Sequence, residues 1–305
     1  MFKNVSISVV IPLYNKAYSV ERAILSVLNQ EEPPKELIII NDGSTDGSES
    51  IVKGLMGNDA KNIIGLVSQY NKGVASARNL GASICKSEYI CFLDADDYWR
   101  PDFIVKMKEL INDFPDANLY CLRHEVVRNG GKPFKPKHGC KSGFRGYVDD
   151  FFRASSKGEV ANSSKVCVKK STFTNVEGFP SGIVSGEDLQ LWIELALEGP
   201  VVCGDCYSVV VCQQKDESRN GRTRSVPYPV LFFSKKNKHE LISQSLKFYL
   251  SAIAVRHIAG SIRDRKYHEA IYRWRCYFNL FPLRAFLCIS MFAIPPFIYK
   301  KISSR

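Results

Sequence analysis

The sequence predicts an α/β fold, a mostly parallel central sheet with flanking helices, followed by a basic helical C-terminal appendage. Three observations carry that expectation. Four short, strongly apolar runs alternate with helix-periodic segments over the first hundred residues, the pattern of a parallel sheet covered on both faces. The fourth run stops at three carboxylates within four positions, Asp94, Asp96 and Asp97. Charge is divided unevenly: residues 1–214 hold 24 Lys and Arg against 26 acids, whereas residues 215–305 hold 18 against 5.

Residues 5–11 are β-branched and apolar and form a first strand, broken by Pro12. Residues 18–29 then place Val20, Ala23, Ile24, Val27 and Leu28 at helical spacing. Residues 37–40 are the second strand. The turn-rich segment Asn41-Asp42-Gly43-Ser44-Thr45-Asp46-Gly47 follows, and a helix starts near Ser48. A third strand at 63–67, a helix at 73–84 and a fourth strand at 89–93 complete the series. In such sheets ligands lie beyond the carboxyl ends of the strands, where strand order reverses. With the first and fourth strands adjacent, Leu13-Tyr14 and Asp94-Asp96 line one crevice.

If the extended geometry persists past Leu93, Asp94 and Asp96 share a side while Ala95 points away. Two carboxylates held together repel unless a cation sits between them, and Mg²⁺ or Mn²⁺ carrying phosphate oxygens suits that place. Taken alone, the acids fit equally a solvated turn capping the helix that begins near Pro101. No G-x-G-x-x-G follows the first strand and no P-loop occurs anywhere. A nucleotide can still bind, with Tyr14 stacked on a base and Asp42 accepting from a ring N–H. Each also reads simply as a strand-end aromatic and a helix cap.

Residues 120–165 are rich in Gly, Pro and Lys and lack periodicity, so they read as a long irregular segment. Farther on, Leu189, Trp192, Ile193, Leu195 and Ala196 run at helical spacing to Gly199, which places Glu187 and Asp188 at a helix N-terminus. The helix dipole favours acids there whatever their chemistry. Ten cysteines are scattered, with Cys203 and Cys206 in the one C-x-x-C; free buried thiols in a reducing cytosol fit this usage. Residues 1–4 lead straight into the first strand with no leader-like apolar region, so a cytoplasmic protein is expected.

The basic C-terminal third calls for an anionic partner, and it carries no recognised nucleic-acid module. Residues 285–299 form an uncharged, mostly apolar run between Arg284 and Lys300. As a helix that run covers about 22 Å, short of the roughly 30 Å of hydrocarbon, and Pro295-Pro296 would break it. A segment lying at an anionic membrane surface is expected rather than a span. The alternative is a helical appendage packed on the rest of the chain or on a second subunit.

Five stretches in order resemble the family 2 glycosyltransferases of the GT-A fold: VVIPLYN at 9–15, IIINDGSTDGS at 38–48, NKGVASARNLG at 71–81, FLDADD at 92–97 and GEDLQLW at 186–192. The resemblance covers roughly the first 215 residues. It implies an inverting enzyme that moves a sugar from a nucleotide-sugar, with a UDP-sugar the expected donor, to a hydroxyl of a glycan or lipid-linked acceptor. Bacterial cell-surface polysaccharide synthesis at the inner face of the cell membrane is the expected setting. The expected division is a catalytic domain at 1–225, with a nucleotide-binding half at about 1–100 and an acceptor half at about 101–225, then a basic region at 226–305. Homo-oligomers through the C-terminal helices are open.

By position, the resemblance gives Pro12, Leu13, Tyr14 and Asp42 to the nucleotide base, and Asp94 with Ala95 to the ribose side. Arg78 would reach the diphosphate or donor sugar. Asp96, with Asp94, would hold Mn²⁺ or Mg²⁺. Asp188 would be the catalytic base with Glu187 beside it. One departure stands out: many members carry a His in a closing loop beyond the base, whereas residues 212–219 hold none, leaving Gln214, Lys215 or Arg219 to meet the phosphates. Two other readings are a haloacid-dehalogenase-like phosphatase with Asp94 as nucleophile, and a glycosyltransferase-like binding protein without turnover. Tyr98 stands where the phosphatase motif has Thr or Val, and the intact acids at 94, 96 and 188 speak against lost turnover.

Overall fold

The structure, a computed structural model, describes residues 5–59, 61–183, 185–214, 226–233 and 242–280. It opens with β1 (Ile7–Leu13), α1 (Val20–Leu28), β2 (Glu36–Asn41), α2 (Ser48–Gly57), β3 (Ile64–Ser68), α3 (Val74–Ile84) and β4 (Tyr89–Phe92). All seven residues of β1 are buried, as an apolar run covered on both faces requires. β1 lies between β2 and β4 and is parallel to both, with Ile11 beside Ile39 and Val9 beside Cys91. The chain runs outward from β1 through β2 to β3, then returns to place β4 on the other side of β1. The carboxyl ends of β1 and β4 therefore flank the point where strand order reverses.

Alternate residues of these strands enter two cores. Val10, Ile40, Ile90 and Phe92 face one; Val9, Ile11, Ile39 and Leu93 face the other. Each such side chain, once buried, contributes roughly 1.5–3 kcal/mol. Helix α1 covers the second face through Val20, Ala23, Ile24 and Val27. Helix α3 lies so close on the first that a Cβ at Gly81 would stand 2.4 Å from Cγ1 of Val10. A residue without a side chain lets that helix rest on β1.

The chain continues with β5 (Tyr98–Trp99), α4 (Phe103–Asp113), β6 (Leu119–Cys121), β7 (His124–Arg128), β8 (Gly146–Tyr147), α5 (Phe151–Lys157) and a 3₁₀ turn at Ser163–Lys165. Then come β9 (Val166–Lys169), α6 (Lys170–Asn175), α7 (Glu187–Glu198), β10 (Val201–Cys203) and β11 (Val209–Gln213). The main sheet extends from β4 through β9, β6 and β10 to β8, antiparallel on both sides of β9, and β5, β11 and β7 form a second sheet. Residues 120–165 are thus more ordered than their sequence suggests. Their strands are short, and β7 pairs with β11, some eighty residues away, so no local period marks them.

Three further helices follow, α8 (Tyr228–Phe233), α9 (Gln244–Arg263) and α10 (Tyr267–Leu280). Leu246, Leu250, Ile253 and Ile258 of α9 are buried in the same core as Phe151, Phe152 and Trp192. These helices pack on the rest of the chain, which is the arrangement the sequence left as the alternative for its basic end. Among the described residues no helix is long and apolar enough to cross a membrane. Residues 285–299 and the closing-loop residues Lys215 and Arg219 lie outside the described residues. The cysteines from Cys85 to Cys212 are free, and Cys203 gathers with Cys140 and His138, its Sγ 3.8 Å from His138 Nε2. The C-x-x-C spacing marks no cluster of its own.

Candidate active site

A cleft of about 530 Å³ opens beyond the carboxyl ends of β1 and β4. Its walls include the ten residues assigned to base, ribose, diphosphate, metal and catalysis: Pro12, Leu13 and Tyr14 at the end of β1, Asp42 after β2, Arg78 on α3, Asp94, Ala95 and Asp96 after β4, and Glu187 and Asp188 at the start of α7; Gln214 is not among them. The ends of β1, β2 and β4, the helix α3 and a helix nearly a hundred residues later converge on one hollow.

Asp42 serves two purposes. Its Oδ1 accepts hydrogen bonds from Gln69 Nε2 at 2.7 Å and from the Lys72 N–H at 2.8 Å, while Oδ2 accepts from the Gly73 N–H at 2.9 Å. Gly73, at φ +88°, is the residue that starts α3. Asp42 therefore fixes the entry to α3 and also lines the cleft. Tyr14 is 43% exposed on the rim, with its ring available to a flat partner.

Arg78 is buried, not a surface arginine. Its Nη2 donates to Asp94 Oδ1 at 2.6 Å, and its guanidinium lies 5.1 Å from the centre of the Phe179 ring. Its Nε and Nη1 have no hydrogen-bond partner among the described residues.

The three acids after β4 do not continue the strand. β4 ends at Phe92, and the Asp97 N–H donates to the Asp94 carbonyl at 2.9 Å, closing a turn. The alternating arrangement expected of Asp94 and Asp96 is therefore replaced by a tighter one. One carboxylate oxygen from each of Asp94, Asp96 and Asp97 lies within 4.8 Å of the others. Asp96 Oδ2 is 3.2 Å from Lys16 Nζ. Asp97 Oδ2 accepts from Ser164 Oγ at 2.5 Å, and its Oδ1 accepts from the Cys212 N–H at 2.8 Å. Burial, then the charges of Asp94 and Asp96, pushes the Asp97 carboxyl well above the usual carboxylate range. Three crowded carboxylates, whose mutual repulsion a cation would relieve, form a set that an oxygen-seeking divalent cation fits.

Glu187 and Asp188 occupy the first turn of α7, which follows Gly186 at φ +84°. Asp188 Oδ1 accepts from the Leu189 N–H at 2.8 Å. Burial raises its carboxyl to about 6, Glu187 adds to the rise, and the Arg78 charge opposes it. The cleft also holds Lys16, Asn71, Ser163, Ser164 and Asp97, to which the sequence assigned no role there. Lys16 comes directly after the VVIPLYN stretch, and position alone was its signal. Ser163 and Ser164 lie in the segment that reads as irregular.

The sequence profile described as Glycosyl transferase family 2 matches residues 8–165, just over half of the chain. Chondroitin synthase of Pasteurella multocida (strain Pm70) is 38% identical over 125 residues, 41% of this chain and 13% of that protein. Chondroitin synthase of Escherichia coli is 27% identical over 248 residues, 79% of this chain and 32% of that protein. The chain spans no more than a third of the length of these two relatives. The crystal structure of S. aureus TarS 1-349 in complex with UDP-GlcNAc superposes with a TM-score of 0.62 at 17% identity, covering 90% of this chain and 71% of that one, a likeness of fold. The profile runs across β4 and the acids after it, which removes the phosphatase reading of Asp94. With a matching profile, a matching sheet and a cleft that collects these acids, this chain belongs to glycosyl transferase family 2.

Proposed function

We propose that the chain is an inverting transferase that moves a sugar from a UDP-sugar to a hydroxyl of a glycan or lipid-linked acceptor, in making a bacterial surface polysaccharide. The observation that carries this is the convergence of Asp42, Arg78, the turn of Asp94 to Asp97 and Asp188 on one cleft. Pro12, Leu13, Tyr14 and Asp42 hold the base, with Tyr14 laid against its ring, and Asp94 and Ala95 lie along the ribose. The two unpartnered nitrogens of Arg78 face charge on the diphosphate or the donor sugar, since buried N–H groups left unpaired cost about 1–3 kcal/mol each.

Asp96 and Asp94 would hold Mn²⁺ or Mg²⁺, which when bound supplies Lewis-acid stabilisation of the departing diphosphate without a proton transfer. Asp188 takes the proton of the acceptor hydroxyl as that oxygen attacks the anomeric carbon from the face opposite the leaving group. At about 6 its carboxyl is ionised at neutral pH and more basic than an ordinary aspartate. Glu187 raises that basicity by its charge. One displacement inverts the anomeric centre, with no covalent sugar–enzyme step.

Calorimetry of UDP with and without Mn²⁺ tests the assignment. Asp96→Ala is expected to lose metal-dependent binding, and Asp188→Asn to bind normally while transferring no sugar. Equal binding by wild type and Asp96→Ala would remove the metal role.

The same reading takes 1–225 as the catalytic domain, places the protein in the cytoplasm and docks it peripherally on the inner membrane face through its basic end, where self-association is also open. Since α8, α9 and α10 share the core, the segment to delete is the one after Leu280. A chain ending there is expected to stop floating with phosphatidylglycerol liposomes; undiminished flotation would end the membrane assignment.

A further inference from the structure

We propose that a second, basic groove beside the cleft binds the acceptor, and that the acceptor is a polyanionic glycan chain bearing carboxylates or phosphodiesters. The acceptor role rests on the transferase reading above; the preference for a polyanion rests on the groove itself.

The groove encloses about 860 Å³ between β7 with the loop after it, the end of α5 and one side of α9. Among the described residues Arg128, Lys135, Lys137, Lys157 and Arg256 line it, against a single lining acid, Glu159. That acid is already answered. The ammonium of Lys165, fully buried, lies 3.5 Å from Glu159 Oε1 and donates to the Glu159 carbonyl at 3.0 Å. Five cations therefore face the groove with no local counter-charge of equal number, and walls of low dielectric concentrate such a field. Two aromatic faces supply what cations cannot. Phe134 and Phe248 are 39% and 48% exposed, and the Arg128 guanidinium lies 4.8 Å from the Phe134 ring centre. Rings of this kind, apolar on the face and edged by charge, suit the C–H faces of sugar rings between anionic substituents.

Groove and cleft share a wall. Asn162 lines the cleft and donates through Nδ2 to Glu159 Oε1, which lines the groove. Strand β11 likewise puts Val211 in the cleft and Gln213 in the groove, where Gln213 Oε1 accepts from Arg128 Nε at 2.9 Å. An extended chain lying in the groove would pass Asn162 and Val211 to enter the cleft that Asp188 lines. A concave channel of this size fits a linear polymer better than the broad surface of a bilayer.

The test uses the full chain and fluorescence anisotropy with four probes: a hyaluronan hexasaccharide for carboxylates, a poly(glycerol phosphate) oligomer for phosphodiesters, maltohexaose as the neutral control and phosphatidylglycerol vesicles. At least one anionic oligomer is expected to bind ten times or more tighter than maltohexaose, with affinity falling as salt rises. Lys135→Glu with Lys137→Glu is expected to weaken that binding about tenfold, and Lys157→Glu to weaken it separately, a direction set by charge complementarity. UDP–Mn²⁺ binding, measured on the same variants, stays at the wild-type value and reports that they are folded. Equal binding of neutral and anionic oligomers overturns the proposal, as does full retention of anionic binding by the variants. So does a loss confined to vesicles, which would make the groove a lipid-facing patch. Failure of wild type to bind UDP would instead overturn the donor reading, and the acceptor role with it.

Discussion

The side-chain amide of Asn79 closes on the backbone of Phe179 at both ends, donating to its carbonyl at 2.7 Å and accepting from its N–H at 2.9 Å. Asn79 is the neighbour of Arg78 on α3, and Phe179 stands eight residues before Glu187. The Phe179 ring, beneath the Arg78 guanidinium, packs edge-on against Phe92 at 5.2 Å and against Trp192 of α7 at 5.9 Å. One amide thus fastens the helix that carries Arg78 to the segment that delivers Asp188.

Asn79→Ala leaves both backbone groups of Phe179 without that partner, so unfolding in urea is expected at a stability lower by about 1–3 kcal/mol. Transfer should fall further than UDP binding, because α7 loses its alignment while Asp42 and the turn after β4 keep theirs. Wild-type stability in the variant would show that the clamp is incidental.

A carboxyl at about 6 that must be ionised to accept a proton gives kcat/KM an acid limb near that pH, rising toward neutrality. Glu187 disfavours ionisation of Asp188 and Arg78 favours it. Glu187→Gln is therefore expected to move the limb to lower pH and Arg78→Ala to move it to higher pH. A pH–rate profile on each variant checks the signs, and shifts in the same direction for both would contradict the arrangement.

Gly81→Ala forces a methyl group to within 2.4 Å of Val10 Cγ1, and overpacking of this kind costs about 1–3 kcal/mol. The double variant with Val10→Ala frees the space and is expected to recover part of that loss. Thermal melts of the two single variants and the double form a cycle; strict additivity would mean that helix and strand do not press on each other there.

The first half of the fold was legible because its strands are buried on both faces. β1 and β4 are apolar apart from Ser8; β1 runs through Pro12, which keeps its place in the strand, to Leu13, and β4 ends at Phe92, two residues before Asp94. The ten named cleft residues were picked out through the resemblance, and most of them fall where a strand ends or a helix starts, with Arg78 inside α3. The turn after β4 was not legible, because local hydrogen bonding between Asp94 and Asp97 overrides the strand period. Strands β7 and β11 gain their order from each other across a long stretch of chain, which no window of neighbouring residues reveals. Lys16 and Ser164 enter the cleft through such tertiary placement alone. The destination of the C-terminal helices was likewise hidden, because burial of Leu250 and Ile258 depends on the Phe151 and Trp192 they meet.

His124 sits at the edge of the basic groove with Lys165 Nζ 3.2 Å from its Nδ1. Burial and that ammonium drive the imidazole down to about 3, so it stays neutral at every pH a cell offers. Capture of a polymer would then be indifferent to acidification that silences chemistry at Asp188.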